Sequence, residues 1–203
     1  APQNGYLNRS RVSLDYIPRD NNHPYRPAII FRMAEAYLSY AEALNESSER
    51  MSHKQEILDN LNKIRHRAGI AEYGTGTDEN GFTRIKINFS DQKEVRRLIH
   101  KERRVEFVGE GVRYHDLRRW KTAHYGIGNL NEQGENPDWG VNGPDYGMNY
   151  YGTEYTDQGD NAFFKRTKYM DRVYPRKFYW YPIHQSEIDK DPTLVQGPFW
   201  LGE

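Results

Sequence analysis

The sequence contains no cysteine. Disulfides, thiolate metal centres and a thiol nucleophile are thereby excluded. It has no charge excess: 29 Lys plus Arg balance 29 Asp plus Glu. Nucleic-acid binders carry a basic surplus, so no nucleic-acid partner is expected. No apolar run approaches the roughly eighteen residues that mark a membrane-spanning helix. The opening Ala1-Pro2-Gln3-Asn4-Gly5-Tyr6 lacks a basic stretch followed by an apolar one, so no signal peptide is visible. Catalytic signatures are missing too: there is no Gly-x-Ser-x-Gly turn, no Gly-x-x-x-x-Gly-Lys phosphate loop and no His-Glu-x-x-His. None of the seven histidines stands four positions from another. No metal site and no cofactor is expected.

Aromatic residues are abundant. Sixteen Tyr, eight Phe and four Trp make up 14% of 203 residues, and tyrosine leads phenylalanine two to one. Tyrosine joins a flat apolar face to a polar tip, which suits a wet binding surface better than a purely apolar core.

The pattern along the chain predicts a mainly α protein with antiparallel helix pairs, long irregular loops and little β-structure. Residues 1–26 read as loop. Pro27 fits the first position of a helix over 27–46, where its missing N–H costs nothing. That helix is apolar around most of its circumference, so it should pack on more than one side. A second helix spans 54–68, with Ile57, Leu61, Ile64 and Ala68 on one stripe and Gly69 placed to end it. The two form an antiparallel hairpin over 27–68. Residues 70–90 read as loop with one short strand over Ile85, Ile87 and Phe89. Asp91 and Glu94 resemble a capping box that opens a helix over 92–110. A fourth helix over 113–124 completes a second hairpin, 91–124. Residues 126–159 hold eight glycines and two prolines and read as a long irregular insertion, the kind that is functional when ordered. The Phe178-Tyr179-Trp180-Tyr181-Pro182-Ile183 cluster alternates as a strand and reads as packing, and a short helical turn follows near 185–190. Residues 126–203 are thus loop-rich.

Two groups of residues could carry chemistry. Glu102 and Glu106 share the apolar face of the third helix with Val95, Leu98, Ile99 and Val105. They could serve as an acid/base pair of the glycosidase kind. Carboxylates at a core edge are costly without partners, so the structural reading makes them members of an ion-pair network with Arg32, Arg65, Arg118 and Arg119. The second group is Trp139, Tyr146, Tyr150, Tyr151 and Tyr155. Rings of this type stack on the C–H faces of sugars and give contact area at low entropy cost. They could equally pin the loop to the helices, and both readings stand. Asp157, Asp160 and Asn161 have the oxygen-rich look of a calcium loop. They lack its full spacing and its terminal glutamate, so turn chemistry is the plainer reading.

Four segments resemble the SusD/RagB family. They are 26–46 (Arg-Pro-Ala-Ile-Ile-Phe-Arg-Met-Ala-Glu-Ala-Tyr-Leu-Ser-Tyr-Ala-Glu-Ala-Leu-Asn-Glu), 61–70 (Leu-Asn-Lys-Ile-Arg-His-Arg-Ala-Gly-Ile), the Ile99–Lys121 run with Lys-Glu-Arg-Arg-Val-Glu-Phe, and Tyr181-Pro-Ile-His-Gln-Ser-Glu-Ile with Asp191-Pro-Thr-Leu-Val-Gln. The resemblance implies tetratricopeptide-like helix pairs beneath a loop-rich face. It implies a non-enzymatic nutrient-binding protein, lipid-anchored on the outer face of a Bacteroidetes outer membrane. The partners it implies are an oligo- or polysaccharide, or a peptide in the RagB branch, and a SusC-like TonB-dependent transporter. A helical-repeat scaffold that holds only the transporter is the alternative. Family members are longer and begin with a lipoprotein signal, so residues 1–203 read as a C-terminal portion whose N-terminal half and lipid anchor are absent. The family assigns no specific binding residue here.

Overall fold

A computed structural model describes residues 29–126 and 140–201. Contacts divide the described residues into two compact units, one on each side of the step from Arg113 to Tyr114. Among the described residues the elements run α1 (Met33–Glu46), α2 (Lys54–Arg67), α3 (Gln92–Glu106), α4 (Val112–Arg119), β1 (Gly143–Met148), β2 (Arg166–Arg172), a 3₁₀ turn (Arg176–Tyr179) and α5 (Gln185–Lys190). The protein is mainly α.

In the first unit, α1 lies between α2 and α3. Its direction relative to each is read from side-chain pairs. Tyr40 meets Glu56 and Tyr37 meets Lys63, so α1 and α2 run antiparallel. Asn45 meets Gln92 and Ser39 meets Arg103, so α1 and α3 do too. Leu38, Ala41, Ile57, Leu61, Val95 and Ile99 have no exposed surface and form the seam of the three helices. Each buried leucine, isoleucine or valine among them contributes about 1.5–3 kcal/mol. α3 therefore joins the α1–α2 pair, and the unit boundary falls at 113/114, two residues inside α4.

Local signals explain the ends. Gly69 takes φ 67° beyond α2. The Gly69 N–H donates to the His66 carbonyl at 3.0 Å and the Ile70 N–H to the Arg65 carbonyl at 3.1 Å. This is the Schellman arrangement, which a left-handed residue makes possible. Asp91 caps α3 by accepting from the N–H groups of Lys93 (2.9 Å) and Glu94 (3.2 Å). Glu94 does not return the bond, because the Asp91 N–H donates to the Asn88 carbonyl. Asp91→Ala should lower stability by about 1 kcal/mol, read as a shift in the urea midpoint.

α1 begins later than Pro27 predicts. Arg32 is extended (φ −142°, ψ 156°) and precedes the first helical residue. Ile29, Ile30, Phe31 and Met33 are exposed rather than packed. The segment over Ile85, Ile87 and Phe89 makes a single isolated bridge, Ile85 with Tyr73, and Thr83 just before it bridges Thr77. Val105, placed on the core face by periodicity, is 63% exposed.

The second unit is built on Leu117 and Ala123, buried against Val141, Tyr174 and Tyr179. Two strands occur where irregular structure is expected. β1 pairs antiparallel with β2, with the register shifting between Asp145 and Tyr146. The sequence hides them: β1 carries Gly143, Pro144 and Gly147, poor strand formers, and β2 is almost wholly exposed, with four of its seven residues charged. Phe178 and Tyr179, the start of the cluster read as strand, instead lie in the 3₁₀ turn Arg176–Tyr179, where the Phe178 N–H donates to the Pro175 carbonyl at 3.0 Å. Further on, the Gln196 amide binds both backbone groups of Ile183, donating and accepting at 2.8 Å, which fastens the C-terminal strap.

Candidate functional site

The two glutamates of α3 are engaged. Glu102 is buried and accepts from Arg65 at 2.5 Å and from the Tyr73 hydroxyl at 2.8 Å. The Arg65 guanidinium stacks 4.3 Å from the Tyr73 ring centroid and donates to the Ala71 carbonyl. Burial, reinforced by Glu102, pushes the Tyr73 phenol far above its ordinary pKa. It therefore stays a neutral donor to the carboxylate.

Glu106 accepts from Arg32 and, through both oxygens at 2.6 Å, from Arg67. Arg32 also grips Glu110 with two bonds of 2.7 and 2.9 Å. This clamp ties the entry of α1 and the last turn of α2 to the end of α3. Arg118 and Arg119 are engaged elsewhere, in the second unit: Arg118 with Tyr114, Tyr181 and the Tyr179 carbonyl, and Arg119 with Asp116 at 3.0 Å. Sequence reasoning missed Arg67, Glu110 and Tyr73 as partners. Arg67 could have been found from its place in the last turn of α2, two residues past Arg65.

For Glu106, burial would raise the carboxyl pKa. The hydrogen bonds from Arg32 and Arg67 outweigh burial and lower it. A depressed folded-state pKa stabilises the fold above the unfolded value of 4.5, and that stability is lost as pH falls through the folded value. Denaturant titrations at pH 7 and pH 3 should therefore show a smaller acid loss for Glu106→Gln than for the parent. Equal losses would contradict the assignment.

The tyrosines named from sequence lie on β1 and on the connection 149–165. Trp139 lies outside the described residues. Tyr146 is on β1 with the Arg166 guanidinium 4.1 Å above its ring. Tyr150 and Tyr151 pack edge to face with centroids 6.2 Å apart. They are 57% and 92% exposed, and Tyr155 is 83% exposed. Tyr155 leans on Phe163 and Phe164, at 5.9 and 6.4 Å.

The connection is ordered by its own backbone. Thr153 and Glu154 donate to the Asn161 carbonyl, Phe163 donates to Glu154, and Phe164 donates to Thr156. Ala162, within it, is fully buried. Gly152 passes so close to residues 162–163 that a Cβ there would meet backbone atoms at 2.6–2.7 Å. Asp160 is held by Lys165 at 2.6 Å. Among the described residues no group of three metal-ligating side chains gathers. A separate groove of about 860 Å³ in the first unit, lined by Tyr37, Lys63, Arg84 and Ile87, went unseen in the sequence. Asp59, Glu72 and Glu79 line it as well, Glu72 bonded by Arg84 and His66 and Asp59 by Gln55.

In the second unit Tyr150, Tyr151 and Tyr155 stand exposed on a backbone-bonded loop, and in the first the helices carry buried ion pairs. The SusD family model matches residues 1–200, and the chain belongs to that family. SusD-like protein P25 of Formosa agariphila is 32% identical over 109 residues, covering 54% of this chain and 18% of that protein. SusD-like protein P38 of the same organism is 32% identical over 103 residues, 51% of this chain and 19% of that protein. The match thus spans about a fifth of those relatives' length. A SusD-like protein from Bacteroides fragilis, known from its crystal structure, superposes with a TM-score of 0.54 at 27% identity, covering 85% of this chain and 26% of that one. The likeness supports the tetratricopeptide-like helical reading. No helix among the described residues is long and apolar enough to cross a membrane.

Proposed function

We propose that the chain helps capture glycans for a nutrient-binding protein on the outer face of an outer membrane, working with a SusC-like TonB-dependent transporter. Capture proceeds without catalysis. The reading is supported by family membership. The single observation that carries it is the display of Tyr150, Tyr151 and Tyr155 on a backbone-bonded loop. An ordered loop that leaves three large rings in water forgoes their burial energy, which points to an occupant. Each ring offers a flat face to sugar C–H groups, and the ordered backbone lowers the entropy lost on binding. The Glu102 and Glu106 carboxylates, both held by arginines, are poorly placed to act as acid and base. Lipid anchoring belongs to the same proposal.

Tyrosine nitration read by mass spectrometry tests it. Bound glycan should shield Tyr150, Tyr151 and Tyr155 at least several-fold while leaving the exposed Tyr40, on α1, unchanged. Uniform nitration with and without a glycan that binds would refute the site.

A further inference from the structure

Besides the connection 149–165, one surface of the second unit combines exposed rings with cations that meet no carboxylate among the described residues. Arg118 lies between two exposed tyrosines, its guanidinium carbon 5.2 Å from the Tyr114 ring and 5.1 Å from the Tyr181 ring. Its donors go to the two phenol oxygens and to the Tyr179 carbonyl. The Lys121 ammonium sits 5.0 Å over Trp180 and 6.0 Å over Tyr179. The Lys177 ammonium sits 5.0 Å over Trp200, whose indole N–H donates to the Trp180 carbonyl. None of these three cations contacts a carboxylate among the described residues. Carboxylates of the following segment are occupied: Glu187 by Lys190, Asp189 by Gln185 and Asp191 by Thr193.

Backbone strain converges on the same place. Among the described residues, the non-glycine positions with left-handed φ are Lys121 (58°) and Phe199 (65°). Both deliver their side chains to Trp180: Lys121 as above, and Phe199 with ring centroids 5.8 Å apart. Lys121 stands at the position after the cap of α4, where its N–H bonds to the Arg118 carbonyl and the Thr122 N–H to the Leu117 carbonyl. Glycine is the residue that geometry favours. A lysine there trades backbone ease for an ammonium fixed over an indole. Strain of this kind gathers where a site needs a group held in place.

We infer that the Arg118–Lys121–Lys177 surface around Trp180 is a subsite for an anionic sugar, carboxylated or sulfated, whose ring stacks on the exposed aromatics while its acid group meets the cations. This rests on the glycan-capture reading and names the substrate class. The charges match, and aromatic faces supply what a bare cationic patch lacks. Cations already lying against rings keep part of their stabilisation when a second partner arrives.

The test uses affinity electrophoresis of the whole chain in gels containing polygalacturonate, dextran sulfate, neutral dextran or polyglutamate. The parent should be retarded by at least one of the two acidic polysaccharides. The triple variant Arg118→Gln, Lys121→Gly, Lys177→Gln should lose that retardation, at about 3-fold in affinity per charge removed. Retention on any neutral glycan should survive. Lys121→Gly alone should weaken acidic-sugar binding about 3-fold, while its thermal midpoint stays level or rises, because glycine relieves the backbone. Which acidic gel responds tells carboxylate from sulfate. Retardation by neutral dextran alone would overturn the subsite and leave the capture reading standing. Equal, equally mutation-sensitive retardation by polyglutamate would overturn it in favour of an acidic protein partner. Binding of no glycan would overturn both readings.

Discussion

Glu102→Ala is expected to cost about 3–5 kcal/mol of stability, because it strands the buried Arg65 guanidinium and leaves the Tyr73 hydroxyl without its acceptor. The loss arises from desolvation. Arg65 and Glu102 side chains are 11% and 7% exposed, so water cannot replace the missing partner. Arg65→Met with Glu102→Leu should recover much of the loss, since an apolar pair of similar volume carries no unpaired charge. A pair that serves as a structural strut behaves this way. A catalytic carboxylate would instead tolerate replacement in stability and lose turnover. Equilibrium urea unfolding of the single and double variants separates the two.

The second large effect is expected at Gly152. A side chain there would press on the backbone of Ala162 and Phe163 at 2.6–2.7 Å. Gly152→Val should cost about 1–3 kcal/mol locally as the loop is forced apart. Glycan retention should fall to background, because Tyr150, Tyr151 and Tyr155 lose their fixed spacing. Far-UV circular dichroism should change little, since the helices lie elsewhere. If Gly152→Val binds like the parent, order in the loop is irrelevant to capture.

The helices were legible because their signals are local. Gly69 marks the stop of α2 and Asp91 the start of α3, and each acts within a turn of its own position. The start of α1 was misread because its cause is distant. Arg32 stays extended while its guanidinium reaches Glu106 and Glu110, 74 and 78 positions away. The partner of Glu102 lies 37 positions away, so spacing could call for an arginine without singling out Arg65. The hairpin went unseen because a bulge and glycines break its alternation. The cluster at 178–183 alternates in sequence, yet its first two residues, Phe178 and Tyr179, fall in a turn after Pro175. Of the candidate site, the residue types were visible. Their exposure was not, because it depends on a loop folding upon its own backbone.

The most direct measurement is affinity of Tyr151→Ala, Tyr155→Ala for a glycan that retains the parent, with Glu102→Gln run beside it. Loss of at least about tenfold in the tyrosine variant, at unchanged thermal stability, is the expected result, two exposed rings supplying about 1 kcal/mol or slightly less each. Glu102→Gln should still bind when folded. Parent-like binding by the tyrosine variant would contradict the account.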